Sequence, residues 1–235
     1  VYKRGTGYLG ANNHWTVTGN MDFLSETQLY MRGYTINCPD TVSAGKSFTM
    51  GASCQLHTEV DSSLGVAFPT GFATYTLDES SVTYLEGATN QKLFAGVEYG
   101  RVVLNNTAVR SVVLTGDTYV RDNFTVNQNN IKLIDNGFNL HLKGASNDLR
   151  NYLPTAKLYL EAERDQSVTA GGSFTKLYIN DLEISGTGTK EINETNVYIT
   201  GDINIRENST FSCNDPVMFS GLNITNLGKF YHYGN

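Results

Sequence analysis

The nine residues from Val197 to Ile205 restrict the possible folds of this chain more than any other stretch. Val197, Ile199, Ile203 and Ile205 keep one phase of an every-second-residue pattern, polar Tyr198, Thr200, Asp202 and Asn204 keep the other, and Gly201-Asp202 marks a bend. Period-two alternation of this length predicts strands with one buried and one wet face. The phrase recurs. Trp15 to Phe23 matches it with Trp15, Val17, Met21 and Phe23 inward, and Thr118 to Val126 matches it with Val120, Phe124 and Val126 inward. Each copy leads through a polar turn into another alternating pair, namely Leu29 and Met31, Ile131 and Leu133, or Phe211 and Cys213. A looser copy runs through Phe48, Met50, Cys54 and Leu56. On a larger scale, Gln91, Gly96, Tyr99, Val102 and Leu104 correspond to Gln166, Gly171, Phe174, Leu177 and Ile179 at an offset of 75 residues.

One strand-turn-strand unit repeated this often predicts a solenoid, propeller or array. The anchors Phe23, Phe48, Phe124 and Ile205 are separated by 25, 76 and 81 residues, which read as one, three and three turns of about 25 residues each. A propeller blade needs about 40 residues in four antiparallel strands, so the shorter repeat selects an all-β, single-stranded parallel β-helix. The usual crossover preference makes it right-handed. The expectation is one continuous β-solenoid domain over residues 1–235, with loop excursions near 60–72 and 144–156 where the alternation fails.

Composition narrows the function classes. Forty per cent hydrophobic and 17 per cent charged residues suit a folded domain, and a net charge of -6 offers no basic footprint for nucleic acid. No apolar run approaches the roughly 18 residues of a membrane-spanning helix, so no membrane insertion is expected. The chain begins at Val1, and its last residues, Gly228 to Asn235, still alternate. A processed or excised piece is therefore expected, whose uncapped end continues in the same chain or stacks on another copy.

The segments Tyr84-Leu-Glu-Gly-Ala-Thr-Asn-Gln, Tyr99-Gly-Arg-Val-Val-Leu-Asn-Asn and Val112-Val-Leu-Thr-Gly-Asp-Thr-Tyr-Val resemble a repeat of giant secreted proteins of Bacteroidota. A second pass, Phe174-Thr-Lys-Leu-Tyr-Ile, Ile184-Ser-Gly-Thr-Gly-Thr-Lys and the 197–205 phrase, is similar, and the resemblance covers roughly Phe72 to Asn235. It implies an extracellular or cell-surface β-solenoid of the kind exported by type IX secretion, acting as an adhesin, surface fibre or filament.

All three cysteines fall on the inward phase, as core fillers or, for Cys38 and Cys54, as a candidate disulfide between neighbouring turns. The histidines, His14, His57, His141 and His232, sit apart on outward or terminal positions, and no CxxC spacing exists, so no metal and no cofactor is expected. A β-helix enzyme needs convergent carboxylates; Asp22, Asp122 and Asp202, with Arg121 and Arg206, are the candidates, and corner formation is their alternative reading. The outward tyrosines Tyr30, Tyr119, Tyr159 and Tyr198 offer a surface for glycans, against the plainer reading of cross-turn stacking. Asn105, Asn123, Asn193, Asn208 and Asn223 begin Asn-x-Ser/Thr triplets to which no glycans are assigned. The resulting expectation is a non-catalytic structural or adhesive module partnered by itself and by surface glycans. A carbohydrate-binding or carbohydrate-cleaving β-helix and a phage tail-spike segment are the alternatives.

Overall fold

Each alternating segment forms a strand that pairs in parallel with its equivalent one turn later. The chain thereby builds a β-solenoid of about 10 turns with about 21 residues in each. The structure is a computed structural model that describes residues 2–3, 7–39, 44–170, 176–193, 196–213 and 217–232. Three sheets run along the column. Sheet one holds eleven strands, from Gly7–Gly10 through Gln55–Thr58 and Phe124–Val126 to Lys229–His232. Sheet two has a four-stranded section from Tyr2–Lys3 to Thr74–Leu77 and a seven-stranded section from Glu98–Tyr99 to Ile224–Asn226. Sheet three is made of short sections that begin with Trp15–Thr16, Gln91–Leu93 and Leu177–Ile179. Among the described residues there is no helix.

The inward phase is buried as the alternation requires. Val17, Met21, Phe23, Phe48, Val120, Phe124, Val126, Ile199, Ile203 and Ile205 lie in one hydrophobic core, and half-buried Trp15 packs against it. Parallel pairing in register places equivalent side chains one above another, as for Leu182 over Ile203 and Ile184 over Ile205. Burying such stacks contributes about 25 cal/mol for each Å² of apolar surface removed from water.

The stacking differs from the expectation in its phase. Trp15 to Phe23 and Val197 to Ile205 run from sheet three into sheet two, whereas Thr118 to Val126 runs from sheet two into sheet one. Phe48 therefore belongs to sheet two and Phe124 to sheet one, and the two are not stacked equivalents. Any corner between two short strands carries the same apolar-polar-bend phrase, so the repeat identifies corners without saying which corner. The turn length is consequently shorter than 25 residues on average, and it varies. Gln28 meets Gln55 at a spacing of 27, while Asn139 meets Lys157 at 18.

Both expected excursions remain in the stack. Within 60–72, Phe68 is core and Thr70 bridges Asn37, taking the place of a sheet-three strand. Within 144–156, Ser146–Asp148 joins sheet one and Tyr152–Leu153 joins sheet three.

The offset of 75 also relates different faces, since Gln91 opens a sheet-three strand and Gln166 a sheet-one strand. Gly171 and Phe174 of that comparison lie outside the described residues. The two buried glutamines nevertheless do the same work. Each Oε1 accepts the N–H four residues earlier, at Gly87 or Ala162, and each Nε2 donates to a carbonyl of the preceding turn, at Thr58 or Leu142. A buried amide that satisfies two backbone groups lets the corner close without orphaned donors.

Candidate functional site

Three outward features combine polar chemistry with defined geometry. The first is a central column on sheet two, where Glu98, Tyr119, His141, Tyr159, Glu183 and Asn204 occupy successive turns in register. The His141 ring lies between those of Tyr119 and Tyr159, at 4.2 Å and 4.0 Å between centroids and within 19° of parallel. Glu161 Oε1 is 3.4 Å from His141 Nδ1. The Lys157 ammonium lies 5.5 Å from the Tyr159 ring centre, and Glu183 receives both Lys157, at 3.4 Å, and Arg206.

The second feature repeats this arrangement on sheet one. His57 is stacked between Tyr30 at 4.3 Å and Tyr84 at 4.6 Å, with both interplanar angles below 10°. Its Nδ1 is 3.0 Å from Glu86 Oε2 and its Nε2 is 3.1 Å from Gln55 Oε1. The hydrogen bond from His57 is the largest influence on the Glu86 carboxyl and holds it below the usual carboxylate range, against the opposing effect of burial.

The third is a cleft of about 510 Å³ where sheet two turns into sheet one, lined by Glu79, Arg121, Lys143, Glu161, Glu163 and Arg164. Its charges are matched within the protein. Glu98 takes Lys143 at 3.1 Å and Arg121 at 3.9 Å, Arg164 reaches Glu79 at 3.2 Å, and Glu163 accepts the Thr187 N–H. Arg121 also donates to the Leu77 carbonyl. The cleft is thus a lattice of internal ion pairs.

No protein-family model, curated protein or solved structure matches the chain. Its chemistry is read from its own residues.

The four tyrosines singled out from sequence are all stack members. Tyr30, Tyr119 and Tyr159 sandwich histidines, and Tyr198 stacks on Tyr178 at 5.0 Å, with the Lys176 ammonium 5.5 Å from its ring centre. A sugar ring binds an aromatic residue by lying on the ring face. Here neighbouring turns cover much of those faces, and the Tyr30 hydroxyl donates to Gln28 Oε1 at 2.9 Å. Sequence reasoning placed these tyrosines outward and the histidines apart from them on outward or terminal positions, and it missed that register stacks the two together. The 27-residue spacing of Tyr30, His57 and Tyr84 was the available signal.

The acidic candidates do not converge. Asp22 lies in the first section of sheet two, Asp122 pairs with Arg101, and Asp202 accepts the backbone N–H of Asn223 at 3.0 Å. Arg121 and Arg206 are engaged with Leu77 and Glu183. Corner formation explains much of the Asn and Asp content. Asp117 accepts from Asn139, Asn139 from Lys157, and Asp181 from Asp202, each receiving the N–H of the next turn. Among the described residues, no group of three or more His, Cys, Asp or Glu is placed to hold a metal ion.

The candidate Cys38–Cys54 disulfide is corrected by the structure, in which all three cysteines are free and buried. Cys38 follows a sheet-three strand and Cys54 precedes a sheet-one strand, at different corners of one turn, and Cys54 Sγ donates to the Phe23 carbonyl. Burial pushes the Cys54 thiol up and the Cys213 thiol up to about 11.

Polar groups inside the column escaped the sequence reading. Arg110 is buried, donates to Gln91 Oε1 at 2.9 Å and to the Leu85 carbonyl at 2.6 Å, and is pushed down by burial to about 10, with Glu86 opposing. Lys190 is buried with its ammonium donating to the carbonyls of Ala162, Arg164 and Thr187. Gly186 and Gly188, at φ 74° and 77°, fold the preceding turn so closely that a Cβ on Gly186 would lie 2.3 Å from the Ala162 oxygen. Both glycines lie in Ile184-Ser-Gly-Thr-Gly-Thr-Lys, and Lys190 shares the inward phase of Ile192, so the alternation Thr189-Lys-Glu-Ile192 was the available signal.

Proposed function

We propose that this chain is a non-catalytic structural or adhesive module, a rigid rod that forms a segment of a surface fibre or a subunit of a self-stacking filament. The observation that carries the reading is the unbroken parallel stacking of strands along the column, eleven of them on sheet one, which makes the chain a solenoid of about 10 turns. Ile224 and Phe230 stack on Ile203 and Phe211, which are buried, yet they are themselves 46% and 38% exposed because no described turn covers them. In a filament, the end turn of a neighbouring copy would cover Ile224 and Phe230 and remove their surface from water. The ion pairs and ring stacks of the outer faces support the same role, because they link turns to one another along the rod. An extracellular or cell-surface location rests on the resemblance of Phe72 to Asn235 to secreted Bacteroidota repeats.

Electron microscopy and sedimentation at rising concentration test the self-stacking form. End-to-end rods are expected, and Ile224→Asp with Phe230→Asp is expected to disperse them. Monomers alone at high concentration would remove the filament reading. A glycan array tests the adhesive form, with binding expected; retention of no glycan would restrict the role to structure.

A further inference from the structure

The stack around His57 has a hydrogen-bond order that the stack around His141 lacks. The residue pattern itself occurs twice. Tyr30, His57 and Tyr84-Leu-Glu86 on sheet one match Tyr119, His141 and Tyr159-Leu-Glu161 on sheet two, each on three successive turns. At the second copy Glu161 stays 3.4 Å from His141 Nδ1, which has no hydrogen-bond partner among the described residues. At the first copy both ring nitrogens are engaged, Nδ1 at 3.0 Å with Glu86 Oε2 and Nε2 at 3.1 Å with Gln55 Oε1. The Gln55 oxygen faces the ring as the last member of a directed chain. In it the Tyr30 hydroxyl donates to Gln28 Oε1 at 2.9 Å, and Gln28 Nε2 donates to Gln55 Oε1 at 3.2 Å. Glu86 is a charged acceptor, since the bond from His57 holds its carboxyl below the usual range and the charge of Arg110 acts in the same direction.

A neutral imidazole has one N–H, and two acceptors face this ring. The imidazolium, with two, donates to both Glu86 and Gln55. Its faces lie on the rings of Tyr30 and Tyr84 at 4.3 Å and 4.6 Å, and the negative faces of phenol rings favour a cation. We infer that His57 is a proton-dependent clamp: doubly protonated, it ties the turns of Tyr30, His57 and Tyr84 into one unit, and loss of a proton frees one of its two bonds. The charge-assisted bond to Glu86 is the stronger, so Nδ1 keeps its proton and Nε2 gives one up. The Nε2 lone pair then meets the Gln55 oxygen. Turning over the Gln55 amide relieves that contact and reverses the donor order back through Gln28 to Tyr30. The titratable groups against the ring are Tyr30 from the preceding turn and Tyr84 and Glu86 from the following one. Arg32 of the preceding strand is directed to Asn12 at 3.3 Å, and exposed Glu59 follows the strand of His57. The His57 side chain is 13% exposed, so water replaces a lost bond poorly. The clamp is therefore complete in acid and opens as the pH rises and the ring gives up its second proton.

Trp15 is the single tryptophan and pairs with Ile36, which lies between Tyr30 and His57 in the chain, so its fluorescence follows the unfolding of these turns. A double-mutant cycle on His57→Gln and Glu86→Gln in urea, at pH 5.5 and pH 8.5, brackets the ordinary histidine value of about 6.5. The coupling, as a ratio of unfolding constants, is expected to be about fivefold larger at pH 5.5, because both partners are charged only there. Equal coupling at the two pH values, or larger coupling at pH 8.5, would overturn the clamp. Nitrogen-15 spectra of the wild-type imidazole give a second measurement that needs no variant. Protected N–H signals are expected on both ring nitrogens of His57 at pH 5.5 and on Nδ1 alone at pH 8.5, with the Gln28 and Gln55 side-chain amide signals moving between the same two states. A ring nitrogen without a protected proton at pH 5.5, or amide signals that ignore the change, would equally overturn it.

Discussion

The hydroxyl of Tyr152 donates to Asp135 Oδ2 at 3.0 Å inside the column, where both residues are buried. Asp135 also accepts from the backbone of Thr155 at 2.7 Å, Ala156 at 3.0 Å and Gly137 at 3.2 Å, and from the Thr155 hydroxyl. Burial alone would raise its pKa, but these donors outweigh burial and hold the carboxyl below the usual range. This residue ties the corner after Ile131–Ile134 to the turn that follows.

Asp135→Asn is expected to cost about 3 kcal/mol at neutral pH, because an amide nitrogen would face donors that need a charged acceptor. The sign of the pH dependence follows from the lowered folded pKa. The contribution is complete above the unfolded value of about 3.9 and is lost as pH falls through the folded value. Urea unfolding at pH 7 and pH 3 checks this, and the gap between wild type and variant is expected to narrow in acid.

The histidine stacks are expected to couple pairwise. A double-mutant cycle on His141→Ala and Tyr159→Ala, read by urea unfolding, should give a coupling of about 0.5–1.5 kcal/mol. The cycle between His141→Ala and His57→Ala should be additive within about 0.5 kcal/mol, since the two stacks lie on different sheets.

Charge placement predicts unequal losses for two cations near the same corner. Arg164→Ala breaks an exposed pair with Glu79 and should cost less than about 1 kcal/mol. Lys190→Met leaves the buried carbonyl of Ala162 and the partly buried carbonyls of Arg164 and Thr187 without their donor and should cost about 2–4 kcal/mol. Equal losses in urea unfolding would contradict the difference in burial.

Thiol titration distinguishes free cysteines from a disulfide. The native protein at pH 8 is expected to resist a thiol reagent, and the denatured, unreduced protein should expose all three thiols of Cys38, Cys54 and Cys213. A single reactive thiol after denaturation would indicate a bond that the structure lacks.

Much of the architecture was legible because period-two alternation is a local property with a direct steric meaning. Val120, Phe124 and Ile199 were read as inward, and they are buried. The stacking order was not legible, because the corners at 15–23, 118–126 and 197–205 share one phrase while serving two different bends of the column. The candidate sites suffered from the same gap. Tyr119, His141 and Tyr159 are separated by unequal numbers of residues, and only the register of Thr118–Val120, Leu140–Leu142 and Lys157–Leu160 brings the rings together.

By itself, the amino-acid order determined that this chain alternates inward and outward on short strands and coils into a β-solenoid. Burial of every second residue requires only neighbouring residues to be known. The tertiary structure decided which strands share a sheet, that the aromatic rings stack with histidines, and that Arg110 and Asp135 turn inward. Those outcomes depend on the number of residues spent at each corner. A change of one residue there shifts the register of the next turn, and no local pattern records that count.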